Sequence, residues 1–340
     1  MENIQKPAGN GNDHCLYNDD YKHNIYTSVY IVVFIFGLLF NGTALYVFFV
    51  VNKKKGIATT CLINLAIADL TFICFLPLRI AYYRNGATWI FGDALCRITT
   101  YSFYFSMYSS ILILASISIF RYFAVVFPGS VNARTAVKVC TVVWIFSGVS
   151  TSPFFLSGTQ DRENVTRCFE PSGKLPWAKI MYINYYALIC GFLAPFSVTM
   201  VFNGLLIRHI RNMPLKKTHI RKHMIMIALV LLVFSVCFLP YHIQRTVHLH
   251  YLVHHPSVCS LHDVLQRTVV ATLCLAILNS CLDPLLYVFI GHGFKSWLCK
   301  YKTRLDPITS SSHSGVVARE LVDEMQMEDV LKTIDINEQQ

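Results

Sequence analysis

Seven apolar stretches, each long enough to cross a bilayer, alternate along this chain with short polar and often basic segments. They run at about 25–51, 59–83, 94–127, 136–156, 180–210, 224–249 and 264–290, and a transmembrane helix needs about 20 such residues. The pattern predicts an all-α fold, a seven-transmembrane helix bundle over residues 25–291. Ahead of it lies a polar, Gly/Asn-rich N-terminal tail at 1–24. Behind it, Phe294, Trp297 and Leu298 with Lys295 and Lys300 predict a short amphipathic helix at 292–302 on the inner membrane surface. Residues 303–340 read as a disordered cytoplasmic tail, phosphorylatable at Thr309 to Ser312 and Ser314. An unmodified flexible tail is the alternative.

Composition agrees with a membrane protein. The chain is 54% hydrophobic and 14% charged, and its mean hydropathy of +0.47 is too apolar for an ordinary soluble domain. A formal charge of +10 would suggest nucleic acid in a soluble protein, but here its distribution gives orientation, and no nucleic-acid partner is implied. Lys53 to Lys55 follow span one; Arg208, Arg211, Lys216, Lys217, Arg221 and Lys222 join spans five and six; Lys295, Lys300, Lys302 and Arg304 follow span seven. All fall on one side, the cytoplasmic one by the positive-inside rule, so the N-terminus is expected outside. No charged-then-apolar signal segment is seen, and span one is expected to direct its own insertion.

Of 12 cysteines, Cys15, Cys96, Cys168 and Cys259 fall in the expected outer segments, seven lie within spans, and Cys299 lies just inside. Four oxidisable cysteines allow three connectivities. Cys299 is a palmitoylation candidate, and the intramembrane thiols read as small packing residues. Asn164-Val-Thr is a glycosylation site in the outer loop of Cys168, whereas Asn41-Gly-Thr lies inside span one, beyond a transferase's reach.

Several residues are out of place in hydrocarbon. Asp69 lies deep in span two and Asp283 precedes Pro284 in span seven; buried carboxylates must be paired, protonated or metal-bound. With Asn41, Ser110, Asn279 and Ser280 they predict a polar pocket of hard oxygen ligands suited to a small cation, Na⁺. The alternative is a water-filled network that only sets packing. Pro77, Pro153, Pro195, Pro240 and Pro284 interrupt five spans and predict kinks. In span six, Tyr241 and Arg245 share one helix face with Phe238 and His248. An arginine costs about 2.5–3.5 kcal/mol at the centre of a membrane helix on insertion scales, so that face reads as the wall of an anion site, with snorkelling to the headgroups as the alternative. His248, His250, His254 and His255 read as solvated loop histidines rather than a zinc site, because no carboxylate or thiolate completes a set. No catalytic triad spacing, phosphate loop or HExxH occurs, so an enzyme is not expected.

Asn41, Leu65-Ala-Ile-Ala-Asp69, Cys96, Phe120-Arg121-Tyr122, Trp144, Pro195, Cys237-Phe-Leu-Pro240 and Asp283-Pro-Leu-Leu-Tyr287 resemble, in order and spacing, the rhodopsin-like G-protein-coupled receptors. Leu76-Pro-Leu-Arg79 with Tyr82-Tyr83, Trp89-Ile-Phe-Gly-Asp93, Cys168-Phe-Glu-Pro171 and Pro240-Tyr-His-Ile-Gln-Arg-Thr-Val-His-Leu-His250 are similar to the cysteinyl leukotriene receptors of that superfamily.

The resemblance implies a plasma-membrane receptor for a cysteinyl leukotriene, an unsaturated fatty acid joined to a cysteine-containing peptide through a thioether. Arg79, Arg245 and Arg267 would bind its carboxylates, Tyr104 and Tyr241 would offer hydroxyls, Gln266 would bond the peptide, Phe103, Met107, Tyr108 and Phe238 would line a slot for the tail, and Tyr83 is a further ligand-binding candidate. Arg84 and Arg97 are expected to snorkel. It further implies Cys96–Cys168 and Cys15–Cys259 bridges, and G-protein coupling through Arg121 and Tyr287 with Lys217 and Arg221 nearby. A Gq-type protein is the expected partner and a Gi-type the alternative, with arrestin and receptor kinases acting at the tail. A receptor for nucleotides or another acidic lipid, and a transporter, are the competing functions. Phe120 stands where such receptors usually carry an acid, Ile220 leaves span six without one, and Asn203 stands where the leukotriene group has a Tyr that works with Tyr287.

Overall fold

The computed structural model describes residues 20–51, 56–156, 158–162, 165–169, 174–213, 217–254 and 259–290. Seven membrane-length helices form the bundle: Tyr21–Val50, Ile57–Arg84, Gly92–Val126, Ala133–Phe155, Pro176–Arg211, His223–His254 and Asp263–Tyr287, spans one to seven. Span three is the central one, packed against spans two, four and five. Its inward face carries Ser102, Ser106, Ser109, Ser110 and Ser118, all buried, because small side chains let neighbouring backbones approach in a membrane bundle. Trp144 ties span four to span two by donating its indole N–H to Asn64 Oδ1 at 2.8 Å. On the outer surface Ile35, Val142, Val149 and Ile189 are more than half exposed and face lipid, whose contact an apolar helix face requires.

Each predicted proline kink appears as a local change of helix. The helix Ile57–Ile73 stops and restarts as Leu76–Arg84 around Pro77, and Pro153 lies in a tightened turn at Ser152–Leu156. Pro195 and Pro240 each follow a widened π-helical stretch, Ala187–Leu193 and Val233–Phe238. A proline lacks the N–H and its ring collides with the carbonyl four residues back, and adding a residue to the preceding turn relieves both. Pro284 sits inside Asn279–Ile290, six residues after the helix is interrupted at Leu278.

Span bounds differ from the hydropathy pattern mainly at the outer ends. Spans five and six continue past the apolar stretch because Ile180 and Met181 pack on Leu249 and Val253, and Asn184 donates to the Thr246 hydroxyl at 2.8 Å. This corrects the loop assignment of three histidines. His248 is buried in the helix Leu239–His254, and the rings of His250 and His254 stack at 4.4 Å on the same helix. His255 lies outside the described residues.

In the second outer loop β1 (Thr159–Arg162) pairs antiparallel with β2 (Val165–Cys168). Cys168 is bridged to Cys96 at the head of span three, with Cα atoms 5.7 Å apart. Arg97 does not snorkel: it pairs with Asp93 at 2.5 Å and donates to the Phe155 carbonyl at 3.0 Å. Asp93 also accepts from the Thr159 N–H at 2.7 Å, and Gly158 leaves room for that carboxylate and the Arg97 guanidinium, which a Cβ there would push aside. Residues 1–19, Asn164 and residues 291–340 lie outside the described residues, as do the side chains of Lys217 and Cys259. The amphipathic helix at 292–302, Cys15, Cys299 and the tail are among them.

Candidate ligand site and cytoplasmic foot

The restart at Pro77 turns Arg79 toward span three, where its Nη2 donates to the Thr100 hydroxyl at 2.8 Å. Thr100 Oγ1 is 4.0 Å from Cys168 Sγ, so Arg79 is set directly beneath the bridge. Tyr30 and Tyr83 lie within its field. Their rings join that of Tyr26 in a cluster with centroids 4.8 to 5.8 Å apart. Tyr26 in turn lies within the field of Arg245, together with Tyr104, Tyr108 and Tyr241. Two guanidiniums from different helices thus face one tyrosine-lined space. Among the described residues neither has a carboxylate within ion-pairing distance. Phenol dipoles are a weak substitute for an anion, and a cation half-removed from water gains most from a ligand that supplies one.

The apolar side of the space adjoins this pair. Tyr104 stacks on Phe154 at 3.7 Å and meets Phe103 edge-on at 5.0 Å. Phe169, directly after Cys168, adopts φ 61°, a left-handed conformation unfavourable for a bulky residue. The bridge holds it there, with its ring 5.8 Å from Tyr104. Met107, Tyr108 and Phe238 are buried in the main core below. Gly191 lets span five close on Tyr108, since a Cβ would come within 2.7 Å of that ring. Gln266 is half-buried on span seven. Arg267 differs from Arg79 and Arg245: it is exposed, pairs with Asp263 at 3.0 Å and caps the Tyr21 ring at 5.0 Å.

Sequence reasoning missed Tyr26, Tyr30, Phe154, Phe169, Phe192 and His242. Tyr26 and Tyr30 carried a usable signal, two phenols at i and i+4 near the outer end of span one. Phe169 carried none, because only the bridge and the left-handed turn aim it.

Halfway down, Asp69 Oδ1 accepts from Ser280 Oγ at 3.1 Å and from Ser110 Oγ at 3.4 Å. Asn279 donates to Asp283 Oδ2 at 3.3 Å. The other oxygens, Asp69 Oδ2 and Asp283 Oδ1, are buried with no hydrogen-bond partner. Asn41 links the layer to Tyr287, donating to the Ser280 carbonyl at 2.9 Å and accepting from the Tyr287 hydroxyl at 2.8 Å. Two unpartnered carboxylate oxygens among hydroxyls and amides are a donor set that fits a hard monovalent cation.

At the cytoplasmic foot Arg121 is 9% exposed. With no acid at 120 or 220, its Nη2 donates to the backbone carbonyl of His223 on span six at 3.0 Å, while Nε and Nη1 have no partner. Asn203 donates to Ser118 Oγ at 3.2 Å and leaves its Oδ1 unpartnered. Arg221 is exposed beside this foot.

Comparison with known proteins bears on this geometry. Residues 40–287 match the family model described as 7 transmembrane receptor (rhodopsin family). The chain is 39% identical to the Homo sapiens cysteinyl leukotriene receptor 1 over 293 residues, 84% of this chain and 87% of that protein. It is 39% identical to the Sus scrofa cysteinyl leukotriene receptor 2 over 298 residues, 85% of this chain and 84% of that one. The Homo sapiens lysophosphatidic acid receptor 6 is 34% identical over 296 residues, 83% and 85% of the two chains.

Proposed function

The chain belongs to the rhodopsin family of seven-transmembrane receptors, and we propose that within it this protein is a receptor for cysteinyl leukotrienes, signalling through a Gq-type G protein. It is a multi-pass plasma-membrane protein, a receptor and not an enzyme, and its partners are a ligand, a G protein and the bilayer. The observation that carries the ligand assignment is the pair Arg79 and Arg245, two guanidiniums without carboxylate partners among the described residues, across one tyrosine cluster and beside an aromatic slot. A peptide-conjugated lipid acid offers carboxylates to the first and a hydrocarbon tail to the second. Similarity to cysteinyl leukotriene receptors supports this reading. The similarity to lysophosphatidic acid receptor 6 supports a second, another acidic lipid.

In the same reading the N-terminus is extracellular, Cys15 bridges to Cys259, Asn164 is glycosylated, Cys299 is palmitoylated, and arrestin and receptor kinases act on the tail. Asp69 and Asp283, with Ser110, Asn279 and Ser280, would hold Na⁺, which supplies the positive charge that their unpartnered oxygens lack. Calcium release in transfected cells tests the assignment, comparing leukotrienes C4, D4 and E4 with nucleotides, lysophosphatidic acid and free fatty acids. A response to the leukotrienes alone is expected. A response only to lysophosphatidic acid or only to nucleotides overturns the ligand.

A further inference from the structure

Beneath Arg245 in span six, against the rings of Tyr108 and Tyr241, lies a buried polar atom with nothing to bond among the described residues. His242 follows Tyr241 in span six, is 2% exposed, and places Nδ1 2.9 Å from the Phe238 carbonyl oxygen. A carbonyl can only accept, so Nδ1 carries the proton. Phe192 stacks on the imidazole at 4.4 Å, and the rings of Tyr108 and Tyr241 close on it edge-on at 5.8 and 5.3 Å. No acid among the described residues is within ion-pairing distance, and a buried unpaired charge costs far more than a neutral ring. The neutral ring with its proton on Nδ1 leaves Nε2 as a lone-pair acceptor. That atom is buried and has no hydrogen-bond partner, a condition folds rarely tolerate without a use for it.

We infer that His242 Nε2 accepts a hydrogen bond from a hydroxyl of the ligand and so selects hydroxylated lipid acids over their deoxy counterparts. The inference rests on the ligand class proposed above. A cysteinyl leukotriene carries a hydroxyl on the carbon next to its thioether, a few bonds from its fatty-acid carboxylate. His242 and Arg245 lie three residues apart on one helix face, a rise of about 4.5 Å. One helix face therefore offers an anion receptor and, a turn deeper, an acceptor for a hydroxyl.

Competition binding on membranes from transfected cells tests it, using leukotriene D4 and its analogue with hydrogen in place of the hydroxyl. Wild-type receptor is expected to prefer the hydroxylated ligand by about tenfold or more, the usual effect of leaving a buried acceptor unpaired. In His242→Phe the two ligands should bind within twofold of each other. In His242→Gln, whose amide oxygen can take the place of Nε2, part of the preference should return. Equal binding of both ligands to wild type overturns the inference, as does a preference that persists in His242→Phe, and in either case the leukotriene assignment stands. If His242→Phe does not reach the surface, wild type and His242→Gln decide. A wild type that binds neither ligand overturns the ligand class and this inference with it.

Discussion

Replacing Arg245 by alanine separates a ligand-reading guanidinium from a snorkelling one. Arg245 is in the field of Tyr26, Tyr104, Tyr108 and Tyr241 and has no carboxylate partner among the described residues. Its removal therefore leaves no buried anion unpaired among the described residues, and Tyr104 and Tyr241 still lie beside each other. Folding and surface expression should hold. A ligand carboxylate, by contrast, would lose a charge-assisted contact worth about 1.5–3 kcal/mol, or about 10- to 150-fold in affinity. Arg245→Lys keeps the charge without the planar fork and should fall between wild type and alanine. The loss in Arg79→Ala should add to that of Arg245→Ala if the two arginines hold separate carboxylates, and fall short of additivity if they share one. The assay is leukotriene competition binding with calcium release at matched surface density. An Arg245→Ala receptor within about threefold of wild type would refute the reasoning and return Arg245 to the headgroups.

Four further outcomes are expected. Asp69→Asn removes an anion from the mid-membrane layer, so 150 mM NaCl, which should weaken agonist binding to wild type at roughly physiological strength, should have no effect on the variant; persistent sodium sensitivity counts against the cation. Cys168→Ser opens a bridge spanning 72 residues, worth about 4 kcal/mol by loop closure, and frees Phe169 from its left-handed turn; surface expression or leukotriene binding should collapse, and normal values for both would contradict this. Phe120→Asp sets an acid beside Arg121, whose Nε and Nη1 lack partners, and should lower basal nucleotide exchange on the G protein, whereas Asn203→Tyr should raise basal or maximal signalling at equal surface density.

The seven helices were legible because hydrocarbon imposes length and apolarity on any span, and the prolines were legible because a missing N–H must show itself locally. Asp69, Asp283 and Arg245 stood out for the same reason, since their cost in lipid demands a use. What the sequence could not convey was which neighbour meets each demand. Arg97 reads like a headgroup arginine until the loop brings the Phe155 carbonyl to it. His248 and His250 read as loop residues because the packing of span five on span six, which extends both helices, has no hydropathic mark. His242 hides inside a motif whose arginine draws the attention, and its unpaired Nε2 becomes visible only once the Phe238 carbonyl fixes the proton on the other nitrogen.

Span six connects these demands. Above Pro240 it carries Tyr241, His242 and Arg245 of the proposed ligand site; at its cytoplasmic end the His223 carbonyl holds Arg121 at 3.0 Å. Between them the widened stretch Val233–Phe238 is the one part of this helix whose backbone bonds depart from the α pattern, and such stretches change register at small cost. On the proposed function, a ligand that draws the outer end toward Arg79 tilts the inner end away and breaks the Arg121 bond. A single bond from a charged donor is worth about 1.5–3 kcal/mol. The ligand must prefer the tilted state by at least that much to shift the population, and one carboxylate on Arg245 supplies an energy of the same size. A receptor with an acid at 120 or 220 would need more. On that proposal the missing acids set a low threshold for activation, and the bond to be broken ends on a backbone carbonyl that no single side-chain replacement at position 223 removes.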